Sequence, residues 1–341
     1  DGSVELVVTS PPYPMVEMWD DAFAALDPAV GDALAAGDGE AAFDLMHAVL
    51  DETWAEVERA LVDGGVACVV VGDATRTVGD RFARYPNHAR VTDWFTDHGF
   101  TALPEVLWRK PTNSAAKFMG SGMLPPNAYV TLEHEHVLVF RKGTDGRRFE
   151  PGAEDRYEAA YFWEERNRWF SDLWEVTGER QALDGPARER SAAFPFEIPY
   201  RLVNMYSVYG DTVLDPFLGT GTTSVAAMVA GRDSVGYERE PSLAAALEDA
   251  VDSVPALSRD VVEGRLADHR DFVAERAAAG DAPGYEATHY DVRVTTTQEQ
   301  DLRLYAVESV EETGDGTYTA VHEPVESVPA SGDAPPAGGH R

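Results

Sequence analysis

Two short segments of the chain combine residue types that could carry chemistry. The first, Thr9–Tyr13, has the sequence Thr-Ser-Pro-Pro-Tyr and follows a run of β-branched residues. Consecutive prolines fix the backbone and lack N–H donors, so the carbonyl groups of Ser10 and Pro11 can be acceptors aimed at one point, beside an aromatic ring. This arrangement suits a planar ligand that carries an amino group. Taken alone, the segment is equally compatible with a Pro-Pro turn whose tyrosine only packs.

The second segment, 215–223, has the sequence Asp-Pro-Phe-Leu-Gly-Thr-Gly-Thr-Thr and lies between a predicted strand and a predicted helix. Gly219 and Gly221 allow the backbone to turn tightly and to approach a ligand that lies across the carboxyl end of the strand. Glu238 closes the next predicted strand, where a carboxylate can accept hydrogen bonds from both ribose hydroxyls of an adenosine. A tight turn that binds no ligand is the alternative.

The segment 215–223 differs from two common nucleotide-binding motifs. It lacks the Gly-Lys-Ser/Thr of a phosphate-binding loop, and Ser224 occupies the position of the third glycine of a dinucleotide site. Asp215 lies where an anionic phosphate would approach. A cationic ligand group, such as the ammonium of a methionine moiety, therefore fits this position better.

The hydropathy pattern indicates which elements position these segments. Short apolar runs predict strands, and apolar residues at helical spacing predict helices. The predicted strands are 4–9, 66–71, 100–108, 129–140, 212–214 and 234–237, and the predicted helices are 41–61, a stretch through 94–95, 198–206, 223–229, 242–251 and 260–279, followed by a hairpin within 302–321. The alternation favours an α/β fold with a doubly wound, mostly parallel sheet.

The composition is that of a folded intracellular protein. The 341 residues are 44% hydrophobic, which is enough for a core and excludes a disordered chain. The longest apolar run, Val66–Val71, is far shorter than the roughly 20 residues that a bilayer span needs, and no signal-peptide pattern is present. We therefore expect a cytoplasmic protein with no membrane segment. Cys68 lies in this run, so we expect a buried hydrophobe and no disulfide or zinc framework.

The charge balance is strongly acidic. Lys and Arg total 28 against 60 Asp and Glu, the net charge is −32, and only three residues are lysine. This composition is typical of proteins from salt-accumulating halophiles, in which an acidic surface keeps the fold soluble. It argues at first against a nucleic-acid partner, because most DNA-binding proteins carry a basic surface. Residues 105–190 are the exception, since their acidic and basic side chains nearly balance.

In combination, the two segments resemble those of amino-group DNA methyltransferases that use S-adenosylmethionine. The Ser-Pro-Pro-Tyr segment precedes the Phe-x-Gly-x-Gly segment, which is the order of the beta class of that family. The resemblance covers residues 3–250 and extends to 61–73, 108–111, 135–142 and 191–195. Ser191 replaces a histidine of the family's pattern, which puts any role of that position in doubt. A further cofactor-side motif of the family would lie before residue 1, so we expect the chain to lack upstream residues.

The resemblance implies a Rossmann-like S-adenosylmethionine methyltransferase fold with an inserted target-recognition region. The expected regions are a catalytic half at 1–110, the insert at 111–190, a cofactor-binding half at 191–280, a β-rich extension at 281–326 and a disordered tail at 327–341. S-adenosylmethionine is the implied cofactor and double-stranded DNA the implied partner. A cognate restriction endonuclease and a homodimer are left open.

The resemblance also implies roles for individual residues. The catalytic residues are Ser10, Pro11, Pro12 and Tyr13, and the cofactor-binding residues are Phe194, Asp215, Phe217, Gly219, Gly221, Thr222 and Glu238. The residues expected to contact DNA, as candidate phosphate ligands in or near the balanced region, are Arg109, Lys110, Lys117, Arg147, Arg148, Arg166 and Arg168. No metal is expected, although His134 and His136 share one face of a predicted strand.

The expected reaction is methylation of the exocyclic N4 amine of cytosine. In the family, Asp-Pro-Pro-Tyr mostly marks adenine enzymes, so Ser10 favours cytosine over the N6 amine of adenine. Methylation of cytosine carbon 5 needs a Pro-Cys nucleophile, and Cys68 follows Ala67 instead. Two other classes are alternatives: a non-catalytic DNA-binding regulator with the same fold, and a nicotinamide-dependent oxidoreductase, which Ser224 disfavours.

Overall fold

The computed structural model describes residues 1–110, 119–177, 194–314 and 316–326. Its strands, numbered in chain order, are β1 (Val4–Thr9), β2 (Leu61–Val71), β3 (Ala74–Val78), β4 (Arg81–Tyr85), β5 (Phe100–Arg109), β6 (Met119–Gly120), β7 (Ala128–Tyr129), β8 (His134–Lys142), β9 (Leu173–Glu175), β10 (Thr212–Asp215), β11 (Asp233–Gly236), β12 (Tyr285–Glu286), β13 (Arg293–Val294), β14 (Tyr305–Gly314) and β15 (Thr317–Pro324). Its α-helices are α1 (Asp20–Leu26), α2 (Pro28–Ala35), α3 (Gly39–Ala60), α4 (Asn87–Asp97), α5 (Glu154–Glu158), α6 (Trp163–Trp169), α7 (Glu197–Tyr206), α8 (Thr222–Val229), α9 (Ala244–Asp252) and α10 (Val254–Ala278). Lys117, Ser191 and the tail expected at 327–341 lie outside the described residues.

A seven-stranded sheet with the order β11-β10-β1-β2-β8-β5-β9 forms the centre of the fold. Within this sheet, β8 pairs antiparallel with both of its neighbours, and the other pairings are parallel. The predicted α/β fold with a mostly parallel sheet is therefore confirmed. Because β1 lies between β10 and β2, the segments that follow these three strands meet at one edge of the sheet.

The centre of the sheet is buried because its strands are continuous apolar runs. Val7 of β1 and Val69 of β2 are fully buried in one core cluster. Helix α3 packs against this core through apolar residues at helical spacing, among them Met46, Leu50 and Trp54. The helix begins after Asp38, whose carboxylate accepts a hydrogen bond from the backbone N–H of Ala41 at 3.1 Å.

Two local predictions differ from the structure. The strand expected over 129–140 begins at His134, which is paired with Arg109 of β5. Tyr129 and Val130 have high strand propensity but are exposed, and Tyr129 pairs with Met119 outside the central sheet. The β3–β4 hairpin was not expected, because its alternating polar residues carry no continuous apolar run.

The described residues divide into two compact units. The first consists of Asp1–Glu150 and Arg168–Val254, and the second combines Pro151–Asn167 with the residues from Pro255 onward. This division does not follow the boundaries expected at 110, 190 and 280. The reason is a second apolar core, in which Phe162 packs with Leu266 and Leu302.

The second unit contains the two elements expected in its sequence. Helix α10 covers the helix predicted at 260–279 and begins several residues earlier, and β14 and β15 form the predicted hairpin. Glu165 is almost fully buried in this unit, where its carboxylate accepts two hydrogen bonds from Arg265, at 2.6 and 2.8 Å. Among the described residues, no helix has the length and apolar character needed to cross a membrane.

Candidate active site

The two segments singled out by their sequence meet at the carboxyl edge of the sheet. β1 and β10 are parallel neighbours, with Val7 paired with Leu214. The last residue of β1, Thr9, donates a hydrogen bond from its hydroxyl to Asp215 Oδ1 at 2.6 Å. The Ser10–Tyr13 segment and the glycine-containing turn after β10 therefore form one site.

Asp215 connects the end of β1 to the turn after β10 through further hydrogen bonds. Its carboxylate also accepts hydrogen bonds from the Thr223 hydroxyl at 2.7 Å and from the backbone N–H of Phe217 at 3.0 Å. Burial raises the pKa of Asp215 to about 6, although the hydrogen bonds from Thr223, Thr9 and Phe217 act to lower it. The side chain is only 3% exposed. These contacts connect Asp215 to β1, to the turn and to the start of α8.

The turn after β10 and the end of β11 form a concave polar edge. The exposed Glu238 accepts hydrogen bonds from the backbone N–H of Gly219 and of Glu240, each at 2.8 Å. Gly221 has a φ of +83° and precedes α8, and a Cβ there would lie 2.2 Å from Leu247 Cδ1. A side chain at this position would strain the backbone and displace the Leu247 side chain.

This edge fits an adenosine-containing cofactor. An accessible carboxylate stands at the carboxyl end of β11, beside a turn with two glycines at the N-terminus of α8. Phe217 lies nearby, partly buried against Trp54 at a ring distance of 5.9 Å. Thr222 is partly exposed at the start of α8, and Phe194 is buried just before α7.

A chain of polar side chains leads away from the Ser-Pro-Pro-Tyr segment. The Ser10 hydroxyl donates to Tyr13 Oη at 3.1 Å, and Tyr13 Oη donates to Glu135 Oε2 at 2.9 Å. The other carboxylate oxygen of Glu135 accepts a hydrogen bond from the ammonium of Lys110. Burial and the negative charge of Glu135 raise the pKa of Tyr13 well above its ordinary value, so its hydroxyl stays protonated.

Gly72, directly after β2, lies against two of these side chains. A Cβ at this position would lie 3.1 Å from the Tyr13 ring and 3.2 Å from Glu135 Cγ. The missing side chain thus allows Tyr13 and Glu135 to approach the edge of the sheet. The sequence placed Glu135 in a segment similar to the family, but nothing local indicated its contact with Tyr13.

A buried amide lies beneath the Ser10–Tyr13 segment. The Asn87 side chain donates from Nδ2 to the carbonyl oxygens of Pro14 and Gly72, at 3.0 and 2.9 Å. Its Oδ1 is 3.0 Å from His47 Nε2, so the ring of His47 donates from that nitrogen. Both side chains are fully buried, and burial lowers the pKa of His47 to about 4. Asn87 therefore fixes the end of the segment relative to β2, a role that the sequence did not indicate.

Arg147 and Lys110, both expected to contact DNA, are paired with acids that are mostly buried. Arg147 donates from both terminal nitrogens to Asp211, at 2.5 and 2.7 Å. A phosphate contact by Arg147 would require this bidentate pair to break. Lys110 is bound to Glu135 and lies over the Trp108 ring at 4.2 Å, which places it in the site.

The other described basic residues of that set are exposed. Arg109 is half-exposed, with Glu175 at 3.1 Å and Glu133 at 3.6 Å from its guanidinium. Exposed pairs of this kind are weak and exchange readily for another anion. Arg148, Arg166 and Arg168 are also exposed.

One group of possible metal ligands is found among the described residues, namely Asp73, His88 and His136. Asp73 Oδ1 lies 2.7 Å from His88 Nδ1, and the two imidazole rings stack at 4.1 Å with an interplanar angle of 9°. Parallel stacked rings cannot both direct an in-plane nitrogen at one ion. The group is therefore better described as a packed Asp–His–His cluster beside the site, and His134 lies outside it.

Comparisons with known proteins agree with this geometry. A family model described as DNA methylase (N6_N4_Mtase) matches residues 4–249. The chain is 50% identical over 309 residues to the Type II methyltransferase M.MthZI of Methanothermobacter thermautotrophicus, which covers 89% of this chain and 86% of that protein. It is 48% identical over 262 residues to the Type II methyltransferase M.MjaI of Methanocaldococcus jannaschii, covering 74% of this chain and 86% of that protein.

A solved structure supports the cofactor as well as the fold. The crystal structure of TTHA0409 from Thermus thermophilus, complexed with S-adenosyl-L-methionine, matches with a TM-score of 0.55 and 33% identity, over 74% of this chain and 88% of that one. The two Type II methyltransferases, M.MthZI and M.MjaI, are each aligned over 86% of their own length. The chain therefore belongs to the DNA methylase family of amino-group (N6/N4) methyltransferases, whose cofactor is S-adenosylmethionine.

Proposed function

We propose that the chain methylates the N4 amine of cytosine in double-stranded DNA. The observation that carries this proposal is the acceptor set at the end of β1, where serine takes the first position of the Ser10–Tyr13 segment. The Ser10 hydroxyl donates its proton to Tyr13, so its lone pairs remain available to a ligand. A serine with free lone pairs and two neighbouring carbonyl groups suits the protons of an exocyclic amine.

An exocyclic amine is a poor nucleophile, because its lone pair is delocalised into the ring. Acceptors at Ser10 and Pro11 would hold the two amine protons and favour a pyramidal nitrogen, which frees the lone pair for attack. S-adenosylmethionine, when bound, supplies an electrophilic methyl group on sulfonium sulfur. The target base is stacked in duplex DNA, so it must be flipped out, and the Tyr13 ring would stack on it.

We assign the cofactor to the edge formed by the turn after β10 and the end of β11. Glu238 would accept the ribose hydroxyls, and the backbone at Gly219, Gly221 and Thr222 would face the cofactor. Phe194 and Phe217 would supply apolar surface. Asp215 would act indirectly, because its hydrogen bonds position Thr9 and the turn.

DNA phosphates would be bound by exposed arginines of the nearly neutral region. Arg109, Arg148, Arg166 and Arg168 fit this role, because each is exposed. Lys117 lies outside the described residues. The names of the two relatives, Type II methyltransferases, support a DNA-modifying protein, and a cognate restriction endonuclease is left open.

Expression in a host without N4-methylcytosine tests the proposal. Sequencing of modified bases in the host DNA should find N4-methylcytosine at one short recurring sequence. N6-methyladenine at such a sequence would favour the adenine alternative. A variant with Ser10→Ala should lose most of the modification, because it removes one acceptor for the amine.

A further inference from the structure

A series of hydrogen-bonded side chains, Ser10–Tyr13–Glu135–Lys110, begins at the proposed target amine. It leads to the carboxylate of Glu135. We propose that Glu135 is a positioning residue for methyl transfer that sets the direction of these hydrogen bonds and, through Tyr13 and Ser10, takes up the proton that the methylated amine loses. This inference rests on the proposed function, because it requires an amine bound at Ser10.

The direction of the chain depends on the charge of Glu135. An ionised carboxylate can only accept hydrogen bonds, so Tyr13 must use its single hydroxyl proton toward Glu135 Oε2, 2.9 Å away. Tyr13 then has only lone pairs to offer Ser10, and the Ser10 hydroxyl must donate, at 3.1 Å. Ser10 Oγ is left as an acceptor. With a neutral group in place of Glu135, both hydroxyls could turn, and Ser10 could present a proton to the amine instead.

A cation lies against the Glu135 carboxylate. Lys110, which directly follows β5, binds Glu135 Oε1, and the Trp108 ring lies against the ammonium. Just before β8, Glu133 Oε2 lies 3.6 Å from the Arg109 guanidinium. Burial and the adjacent His88 lower the pKa of His136, so that ring is neutral near pH 7. The Glu135 side chain is only 15% exposed, so Lys110 and Tyr13 replace most of its solvent.

The proton transfer balances with groups that are already present. The amine nitrogen forms a bond to the methyl carbon, whose bond to sulfur breaks with the electron pair going to sulfur, and the nitrogen becomes cationic. It then gives a proton to Ser10 Oγ while the Ser10 proton passes to Tyr13 Oη and the Tyr13 proton passes to Glu135 Oε2. The carboxylate ends as a carboxylic acid, and the methylated amine ends neutral. Tyr13 need not ionise, in keeping with its raised pKa.

The experiment compares Glu135→Gln and Tyr13→Phe with the wild-type chain. Gln has nearly the same shape and can still accept from Tyr13, but it cannot take up a proton. Phe keeps the ring face and removes the hydroxyl from the chain. Glu133→Gln is the matched control, since it neutralises a half-exposed acid only two positions away. Methyl transfer is measured in a single turnover with saturating labelled S-adenosylmethionine and saturating duplex DNA.

We expect both variants to slow transfer by roughly a hundredfold, which is typical of a lost proton acceptor. The dissociation constants for cofactor and DNA should stay within a factor of about two of the wild type, because neither variant removes a binding group. The double variant should transfer methyl groups no more slowly than the slower single variant, because both substitutions interrupt the same series of hydrogen bonds. Glu133→Gln should match the wild type.

The pH profile separates a proton acceptor from a packing residue. The transfer rates of the wild type and Glu133→Gln should depend on pH in the same way, and Glu135→Gln should show a weaker dependence, because it lacks the carboxylate that accepts the proton. Equal rates for wild type and Glu135→Gln, or additive losses in the double variant, would overturn the proposal. A wild-type chain that transfers no methyl group would instead refute the proposed function. If Glu135→Gln does not fold, Tyr13→Phe tests the proposal. A transfer rate equal to that of the wild type, at unchanged DNA affinity, would overturn it.

Discussion

The hydroxyl of Thr9 and the carboxylate of Asp215 are joined by a buried hydrogen bond of 2.6 Å, although the two residues are 206 positions apart. Thr9 immediately precedes the Ser10–Tyr13 segment, and Asp215 begins the turn at the proposed cofactor edge. The bond therefore fixes the proposed methyl acceptor site relative to the proposed methyl donor site. In-line transfer depends on that distance, since reacting atoms must be held close and aligned.

Asp215→Asn should change how stability depends on pH. The pKa of Asp215 is raised from 3.8 to about 6 in the folded chain. Below pH 4 the carboxyl group of Asp215 is neutral in both the folded and the unfolded chain. Between pH 4 and 6 the unfolded chain releases this proton while the folded chain keeps it, so the wild type loses roughly 3 kcal/mol as the pH rises. Asn does not titrate and should lack this loss.

Urea unfolding at a series of pH values in molar salt measures the effect. The free energy of unfolding of the wild type relative to Asp215→Asn should decrease from pH 4 to pH 6 and level off above it. A difference that stays constant over this range would show that burial does not raise the pKa of Asp215.

Glu238→Ala should weaken binding of S-adenosylmethionine by roughly tenfold to a hundredfold, because it removes a carboxylate that accepts the ribose hydroxyls. Glu238→Gln separates this loss from a disturbed turn, since Gln keeps an acceptor for the Gly219 N–H. Its affinity should lie between wild type and Ala. Calorimetric titration checks both variants, and DNA affinity should barely change. Unaltered cofactor affinity in a folded Glu238→Ala chain would exclude Glu238 as the ribose ligand.

Asn87→Leu should destabilise the first unit by roughly 2–4 kcal/mol, because it leaves two carbonyl groups and the His47 N–H buried without partners. It should also slow methyl transfer, since Pro14 loses its anchor to β2. The matched control is Asn167→Leu at an exposed position, which should change stability by less than about 0.5 kcal/mol. Equal melting temperatures for the two variants would contradict the role assigned to Asn87.

The parts of the site that the sequence predicted are those encoded locally. The apolar run before Ser10 gave β1, and the glycines after Asp215 gave the turn, because each strand and turn is specified by neighbouring residues. Asn87 and Glu135 were not predicted to belong to the site. Their partners come from segments far away in the chain, and only the assembled sheet brings them together.

The division of the described residues into two units could not be predicted for a related reason. Residues 151–167 form an irregular, charged stretch in the sequence, yet Phe162 completes an apolar core with residues from 262 onward. A short amphipathic segment does not indicate which distant surface will cover its apolar side. The late start of β8 has the same origin, since His134 is the position at which β5 offers a pairing partner.

The net charge of −32 predicts an unusual response to salt. The unfolding temperature should rise from about 0.05 M to about 2 M KCl, because salt screens the mutual repulsion of the acidic side chains. Methylation should persist at the upper end of this range, where a basic DNA-binding protein would lose most of its affinity. Calorimetric scans and methyl-transfer assays over the same series test both. Maximal stability and activity in dilute buffer would contradict the interpretation of the acidic surface.

The central claim is that this site transfers a methyl group from S-adenosylmethionine to the exocyclic amine of cytosine. The most direct measurement incubates the purified chain with duplex DNA and isotopically labelled S-adenosylmethionine, digests the DNA to nucleosides and identifies the labelled base by mass spectrometry. We predict label in N4-methylcytosine. Label in N6-methyladenine would contradict the cytosine assignment and leave the amino-group chemistry standing, and label in neither base would contradict the account as a whole.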